Sequence, residues 1–524
     1  MSDLTESFSI GVIFQYSAVS SMFISSAIFY FALAHMLSVS VVGSISLLYA
    51  IMNILTTVFI FGLGNGLQHY LSYHLARNNN EIIKKLITRT TFLAILLAGL
   101  AYISVYFSSY YVSILFFHST EYILSVRIIG IAISMNVIIN VFASMLLGLN
   151  QYKKYSIVYT FFYVFLYFFP LGLLVVLKDT VYLLYGIAII EMIYAIFFIS
   201  LVYKYYFKLG KNSYVEKTVE PYKNVIFYSV PLFFASIMNT SATYIDRIVV
   251  SYFINLSYLG IYNFALVVAS AATIMIMPIS NLLIPKLSSF FSLNNIDAFN
   301  KSIRMLLNIG YMLYVPAALG IAALSRSILY VFAGPEYLDG YMPLMIIMFS
   351  TSIFAGSVVL SAGISSVRKT RIFVMSAGMS MISNVGLSIL LIPRFYLLGA
   401  AISYSSMNAV SFLIVYYYAR KFRVSNYDVG RIVRIWAASL IMFFTVFELQ
   451  QHFAYSMLYV FIFIIAGLLI YIGEIKAFKL ISTDEMKYIL DIIPDKFGVL
   501  KYLMRHLPYN DRTSGNDRLF RFIK

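Results

Sequence analysis

Apolar stretches of about 20 residues recur along the chain, separated by short polar intervals. A helix needs about 20 apolar residues to cross a bilayer. The pattern predicts such helices near 11–34, 42–63, 88–107, 122–147, 155–177 and 181–203. After a longer polar interval it predicts them near 228–252, 258–283, 303–325, 340–364, 372–393 and 397–418, then near 432–449 and 453–473. Glu448, Gln450, Gln451 and His452 break the hydrophobicity between the last two. The first residues, MSDLTESFSIGVIFQ, are acidic and lack a basic n-region and a small-residue cleavage site, so the first span is expected to remain as a membrane helix. The reading is an all-α polytopic membrane protein with fourteen spans.

The basic residues test this map independently, because cytoplasmic loops are enriched in Lys and Arg. With alternate connections taken as cytoplasmic, 32 of the 37 basic residues fall on one side. Only Lys178, Arg326 and Arg394 fall on the other, and Arg127 and Arg247 lie within spans. The split predicts a multi-pass protein of the plasma membrane with both termini in the cytoplasm. The formal charge of +16 is then topology and attraction to anionic lipid, and no nucleic-acid partner is needed to explain it. Composition agrees: 61% of the 524 residues are hydrophobic and 11% charged, against about 25% charged in soluble domains. The absence of cysteine excludes a disulfide-stapled fold and a cysteine-ligated metal.

The two halves of the chain resemble each other. Asn78-Asn79-Asn80-Glu81 aligns with Asn294-Asn295-Ile296-Asp297 at an offset of 216, which also places Lys85 on Lys301 and Ile87 on Ile303. Glu121-Tyr122 matches Glu336-Tyr337, Gly148 matches Gly363, and Lys153-Lys154 matches Arg368-Lys369, all at 215. Tyr182-Leu183-Leu184 matches Tyr396-Leu397-Leu398 at 214. Six spans per half is an even number, so the halves share one orientation and an axis along the membrane normal. The predicted organisation is a six-helix bundle over 1–210, a second over 211–425, two added spans over 426–475, and a cytoplasmic basic amphipathic tail over 476–524. The tail's Ser482-Thr483-Asp484-Glu485 is a helix-start pattern, and the apolar spacing that follows suits the inner leaflet.

Parallel six-plus-six repeats with these residues resemble the multidrug/oligosaccharidyl-lipid/polysaccharide exporter superfamily. Within it the chain is most similar to the polysaccharide-biosynthesis flippases, which move lipid-linked oligosaccharides. In the first half the resemblance rests on Val42-Gly43-Ser44-Ile45-Ser46, Gly64-Asn65-Gly66 and Leu71-Ser72. In the second half it rests on Asp246-Arg247-Ile248, Leu259-Gly260-Ile261-Tyr262-Asn263 and Pro285-Lys286-Leu287-Ser288. It covers about residues 10 to 420. His35 stands where many relatives carry an arginine, so no cationic contact is carried over to that position. The resemblance implies transport by rocking of two bundles around a central cavity.

Charge inside a bilayer is costly, which makes buried ionisable residues functional candidates. Asp246 and Arg247 lie one to two turns below the outer end of the seventh span. Consecutive helical residues point about 100° apart, so they cannot form an ideal pair. One reading has Arg247 gripping a ligand phosphate; the other has it snorkel outward while Asp246 compensates. Arg127, at similar depth in the fourth span, carries the same two readings. Glu191, in the middle of the sixth span, is too deep to reach either surface. It is an ion-coupling site or a neutral acid hydrogen-bonded to a neighbouring helix. Gln15, Asn53, Asn136, Asn140, Asn239, Asn263, Asn308, Asn384 and Asn408 also fall in spans, as interhelical hydrogen bonds or as the lining of a hydrated cavity. Of these, Asn263, Gln15 and Asn53 join Arg247, Asp246 and Arg127 as the candidate contacts for phosphate or sugar. The 45 Tyr and 45 Phe supply lipid-facing and interfacial surface, with a few available to stack on sugars.

No nucleophile motif, phosphate-binding glycine loop or metal-ligand spacing is present, so the expectation is a non-enzyme with no catalytic residue, no metal and no cofactor. The leading function is a flippase carrying a polyprenyl-(pyro)phosphate-linked oligosaccharide from the inner to the outer leaflet. The alternative is a drug/cation antiporter of the same superfamily, which would need cavity carboxylates. A third reading is a non-transporting scaffold. Expected partners are the lipid-linked oligosaccharide, membrane lipids and, at the tail, envelope-glycan glycosyltransferases; the protein is expected to be a monomer.

Overall fold

The computed structural model of the protein describes residues 2–210, 221–293, 295–367, 369, 371–422, 424 and 427–481; within these it describes no side chains for 2–16, 221–224, 226 and 274–286. The amphipathic tail expected from 482 onward lies outside the described residues. Sixteen α-helices succeed one another among the described residues, without a strand. The first half holds α1 (Ser2–Met36), α2 (Val39–Ile60), α3 (Leu63–Ala76), α4 (Asn80–Phe117), α5 (Ile123–Gly148), α6 (Tyr152–Leu177) and α7 (Thr180–Lys208). Next come α8 (Pro221–Phe253), α9 (Leu256–Ser292), α10 (Ile296–Ala323), α11 (Ser325–Ala333) and α12 (Tyr341–Ile353). The series closes with α13 (Ser357–Ser366), α14 (Arg371–Lys421), α15 (Val429–Gln451) and α16 (Met457–Ala477).

Thirteen of the fourteen predicted spans each lie chiefly on a single helix, the tenth is divided between α12 and α13, and the chain is a multi-pass helical membrane protein. Among the described residues eleven helices are long and apolar enough to cross a bilayer, or twelve if α12 and α13, bent by 41° at their break, count as one span. Two predicted spans merge in α14, where the chain reverses at Tyr396 (φ 50°, ψ −126°) shortly after Pro393. The seventh predicted span, on α8, is not among the eleven, because Asn239, Asp246 and Arg247 dilute its apolarity.

Two helices were not predicted, the short α11 and α3. The hydrophobic run of the second span ends at Phe61 and Gly62, both at positive φ (52° and 68°), and the chain restarts as α3. Glycine is required at the break: a Cβ on Gly62 would lie 2.5 Å from the Ser229 carbonyl oxygen. Leu63, Leu67 and Leu71 form the buried stripe of α3, at a spacing of four residues.

The repeat is visible as matched local chemistry. Asn79 and Asn295 both cap their helices, with nearly equal dihedrals (φ −89°, ψ 74° and φ −85°, ψ 73°) and side chains that accept from the N–H of Ile82 and Ala298. Ile87 and Ile303 are both 0% exposed. Glu121-Tyr122 and Glu336-Tyr337 both lie in short 3₁₀ turns, Thr120–Tyr122 and Pro335–Gly340. The halves differ where α5 runs unbroken and its counterpart is split into α12 and α13.

The structure divides into two compact units. The first comprises Met1–Ile274, Phe332–Pro343 and Thr370–Ser411. In it α5 is packed by α2, α3, α4 and α7, α1 lies along α6, and α2 and α3 lie along α8. Pro170 of α6 abuts α7 at Gly186, where a Cβ would come within 2.9 Å of the proline Cα. The second comprises Met275–Val331, Leu344–Lys369 and Phe412–Lys524. There α15 and α16 are fastened to α10: the Tyr471 hydroxyl donates to the Met312 carbonyl (2.8 Å), and the buried Gln450 amide donates to the Ala323 carbonyl. Ser327 in turn donates to Gln450 Oε1 at 2.9 Å. Gln450, which interrupts the hydrophobic pattern, is thus a peg between helices.

Candidate functional site

The second-half motif residues converge within the first unit. Asp246 and Arg247 follow each other on α8, and Tyr262 and Asn263 follow each other on α9. The Tyr262 hydroxyl donates to Asp246 Oδ2 at 2.6 Å, and the Arg247 backbone N–H donates to Oδ1 at 2.8 Å. Arg247 Nε donates to Asn263 Oδ1 at 3.2 Å. Each helix thus offers two adjacent residues, and the pairs interlock one to one. The direct Asp246–Arg247 approach is long, 3.8 Å, as the 100° angle between neighbours requires.

Arg247 does not reach outward. Its Nη1 donates to the Thr243 carbonyl (2.8 Å), one turn back along α8, and its guanidinium lies 4.8 Å from the Tyr244 ring centroid. Asp246 is 0% exposed, whereas the Arg247 side chain keeps 12% of its surface accessible. The arrangement is a saturated carboxylate next to a cation with accessible surface.

A second cluster surrounds Glu191 on α7, also 0% exposed. Asn136 Nδ2 on α5 donates to Glu191 Oε1 at 2.8 Å. Asn140, one turn further, donates to Asn136 Oδ1 (2.7 Å) and so orients that amide. Glu191 Oε2 is buried and has no hydrogen-bond partner among the described residues. An orphan carboxylate oxygen in an apolar interior is costly and marks a place for a proton or a small cation.

The other candidates lie elsewhere. Arg127 on α5 donates through Nε to Ser109 Oγ on α4 (3.2 Å), and its guanidinium sits 4.3 Å over the Tyr106 ring. Asn53 donates to the carbonyl of Tyr49 on its own helix (2.8 Å). Gln15 belongs to α1, but its side chain lies outside the described residues. The structure therefore brings Asp246, Arg247 and Asn263 together, pairs Glu191 with Asn136, and gives Arg127 and Asn53 different hydrogen-bond partners. Tyr262 and Thr243 were missed by sequence reasoning. The available clue to Tyr262 was its place beside Asn263 in the second-half motif, 16 residues after Asp246 just as Asn263 is after Arg247. Among the described residues no group of three or more His, Asp or Glu could hold a metal ion.

Residues 10–291 match the family described as polysaccharide biosynthesis protein. The chain is 25% identical over 219 residues to capsular polysaccharide biosynthesis protein CapF of Staphylococcus aureus, a match covering 42% of this chain and 54% of that protein. It is 21% identical over 253 residues to the probable low-salt glycan biosynthesis flippase Agl15 of Haloferax volcanii, covering 48% and 54%. The chain thus spans about half the length of the curated relatives it matches. Among solved structures, that of lipid II flippase MurJ in an inward closed conformation superposes with a TM-score of 0.69 at 16% identity, covering 89% of this chain and 98% of that one. An inward-facing multidrug resistance MATE family transporter of the MOP superfamily follows with a TM-score of 0.65 at 13% identity, covering 79% and 98%. At these identities the likeness is one of fold. With more than half of its residues matched, the chain belongs to the polysaccharide biosynthesis protein family.

Proposed function

We propose that this protein turns a polyprenyl-(pyro)phosphate-linked oligosaccharide from the inner to the outer leaflet by alternating access. Family membership supports this reading, as do the flippase description of the Haloferax relative and the fold shared with a lipid II flippase. The observation that carries it is the state of Arg247. The neighbouring carboxylate is fully buried and already engaged by Tyr262 and a backbone N–H, while the guanidinium keeps accessible surface. A planar guanidinium matches phosphate geometry. A cationic drug would need a spare carboxylate at that place, and Asp246 is not spare.

In this proposal Arg247 and Asn263 take the phosphate, with Asp246 balancing the charge of Arg247 from 3.8 Å. Arg127, Asn53 and Gln15 meet the sugars or phosphate at other stages of passage. Glu191 takes the coupling proton or cation at Oε2. Residues 1–210 and 211–425 act as the two bundles, 426–475 add the last two spans, and the tail from 476 meets inner-leaflet lipid and cytoplasmic glycosyltransferases. The protein acts as a monomer in the plasma membrane, and the distribution of Lys and Arg supports placing both termini in the cytoplasm. Nothing covalent happens to the cargo.

Depletion of the protein is the test. Lipid-linked oligosaccharide should accumulate on the cytoplasmic leaflet and be cleared by the wild-type chain but not by Arg247→Ala. Dye efflux without such accumulation would favour the antiporter.

A further inference from the structure

α6 carries tyrosine at every fourth residue over three turns: Tyr155, Tyr159, Tyr163 and Tyr167. Residues four apart share a helix face, so the rings form a ladder. Ring centroids are 4.7 Å apart between Tyr155 and Tyr159, and 5.6 Å apart between Tyr159 and Tyr163. At Tyr167 the aromatic surface crosses to α2, where the Tyr49 ring stands 6.4 Å away at an interplanar angle of 28°. Tyr167 also packs against Phe29 of α1 (5.2 Å), and on α8 the Tyr244 ring lies 4.8 Å from the Arg247 guanidinium. The ladder starts next to the basic pair Lys153-Lys154, which marks the predicted cytoplasmic side, and runs into the same unit that holds Arg247.

Tyr159 is closed off against Phe162 and Phe198. Tyr49, Tyr163 and Tyr167 are part-exposed instead, and the rings of Tyr49 and Tyr167 both lie against Phe29 of α1 (6.2 and 5.2 Å), among the helices of the first unit. A row of tyrosine rings, part-exposed at Tyr163 and Tyr167 and in one unit with a cation, suits one kind of cargo. A pyranose ring has an apolar C–H face edged by hydroxyls, and a tyrosine has a flat apolar face with one hydroxyl at its tip. Repeated weak contacts of this kind admit a ligand and also let it go.

We propose that this tyrosine ladder is the sugar track of the translocation path, taking the pyranose rings of the cargo while Arg247 takes the phosphate. The inference rests on the flippase reading and adds to it the residues that recognise carbohydrate.

The test measures binding of two probes to the purified full-length protein in nanodiscs: a C55 polyprenyl diphosphate, and the same lipid carrying a chitobiose disaccharide. The wild-type protein should bind the sugar-bearing probe more tightly. In the Tyr163→Ala/Tyr167→Ala variant the ratio of the two dissociation constants should fall about five-fold toward unity. Tyr163→Phe/Tyr167→Phe, which keeps the rings, should retain most of the preference, and Tyr244→Ala, on a different helix, should lower it independently of any folding defect in α6. An unchanged ratio in Tyr163→Ala/Tyr167→Ala and in Tyr244→Ala would overturn the track, as would a wild-type ratio of one. Wild-type protein that binds neither probe would instead overturn the flippase reading, and the track with it.

Discussion

Gly43 on α2 and Gly260 on α9 meet backbone to backbone. A Cβ on Gly43 would overlap the Leu256 carbonyl oxygen and lie 3.0 Å from the Gly260 nitrogen; one on Gly260 would overlap the Val39 carbonyl oxygen and lie 3.2 Å from the Gly43 nitrogen. The two glycines are 217 residues apart, one more than the first offset of the internal repeat, so they are near-equivalent positions of the two halves. Both belong to the motifs that carry the family resemblance. Their role is space: only hydrogen in place of a side chain lets the helices approach so closely.

Gly43→Ala and Gly260→Ala should therefore each destabilise the protein by roughly 1–3 kcal/mol, the usual cost of overpacking. A thermal melt in detergent measures this. Gly99→Ala is the control, since a Cβ there meets nothing within 4 Å and alanine favours the helix. Equal melting temperatures for all three variants would show that the crossing is not tight.

Tyr262→Phe removes the hydroxyl that holds Asp246 Oδ2 and leaves that oxygen buried. The expected loss is about 1–3 kcal/mol of stability, read as a lower melting temperature. Arg247→Lys should keep the charge but lose the bond to Asn263, so flipping should fall by about ten-fold or more, because an ammonium cannot replace the fork. Wild-type flipping by Arg247→Ala would remove Arg247 from the site.

Glu191→Gln keeps the shape of the side chain and still accepts from Asn136, but it can no longer gain or lose a proton. Transport measured against proton and sodium gradients should become slow and insensitive to the gradient that drives the wild-type protein. Unchanged rate together with unchanged ion dependence would reject the coupling role.

Asp428 caps α15, accepting from the Arg431 N–H (3.2 Å) and from Arg304 Nη2 on α10 (2.7 Å). Partial burial works against its charge, but the bonds from Arg304 and the Arg431 N–H outweigh it and hold the carboxyl below its ordinary value. A lowered folded-state value means that the stabilisation is present at neutral pH, above the unfolded carboxyl's ordinary value of about 3.9, and is lost as pH falls through the still lower folded value. The pair is well exposed, so the effect is small, under about 1 kcal/mol. Asp428→Asn should melt slightly lower than wild type at pH 7 and should match it under strong acid, provided that both remain folded there.

The sequence alone determined where the apolar spans lie, which segments of the two halves align, and that Glu191 and Asp246 are interior. Apolar runs near 20 residues located the spans, Asn79 and Asn295 aligned in the repeat, and Glu191 was recognisable as an interior acid from its neighbours alone. Even the long Asp246–Arg247 approach followed from helical rotation. These properties are local, set by transfer free energy and by spacing within one helix. Only the tertiary structure decided who meets whom: Tyr262 with Asp246, Asn263 with Arg247, Arg127 with α4, Gly43 with Gly260. It also decided that the tenth predicted span breaks between α12 and α13, that α3 forms after Gly62, and that Tyr159 of α6 is closed off while Tyr163 and Tyr167 stay part-exposed. Such contacts depend on how each helix is rotated and crossed against its neighbours, and in a chain whose faces are nearly all apolar the hydrophobic pattern does not specify that rotation.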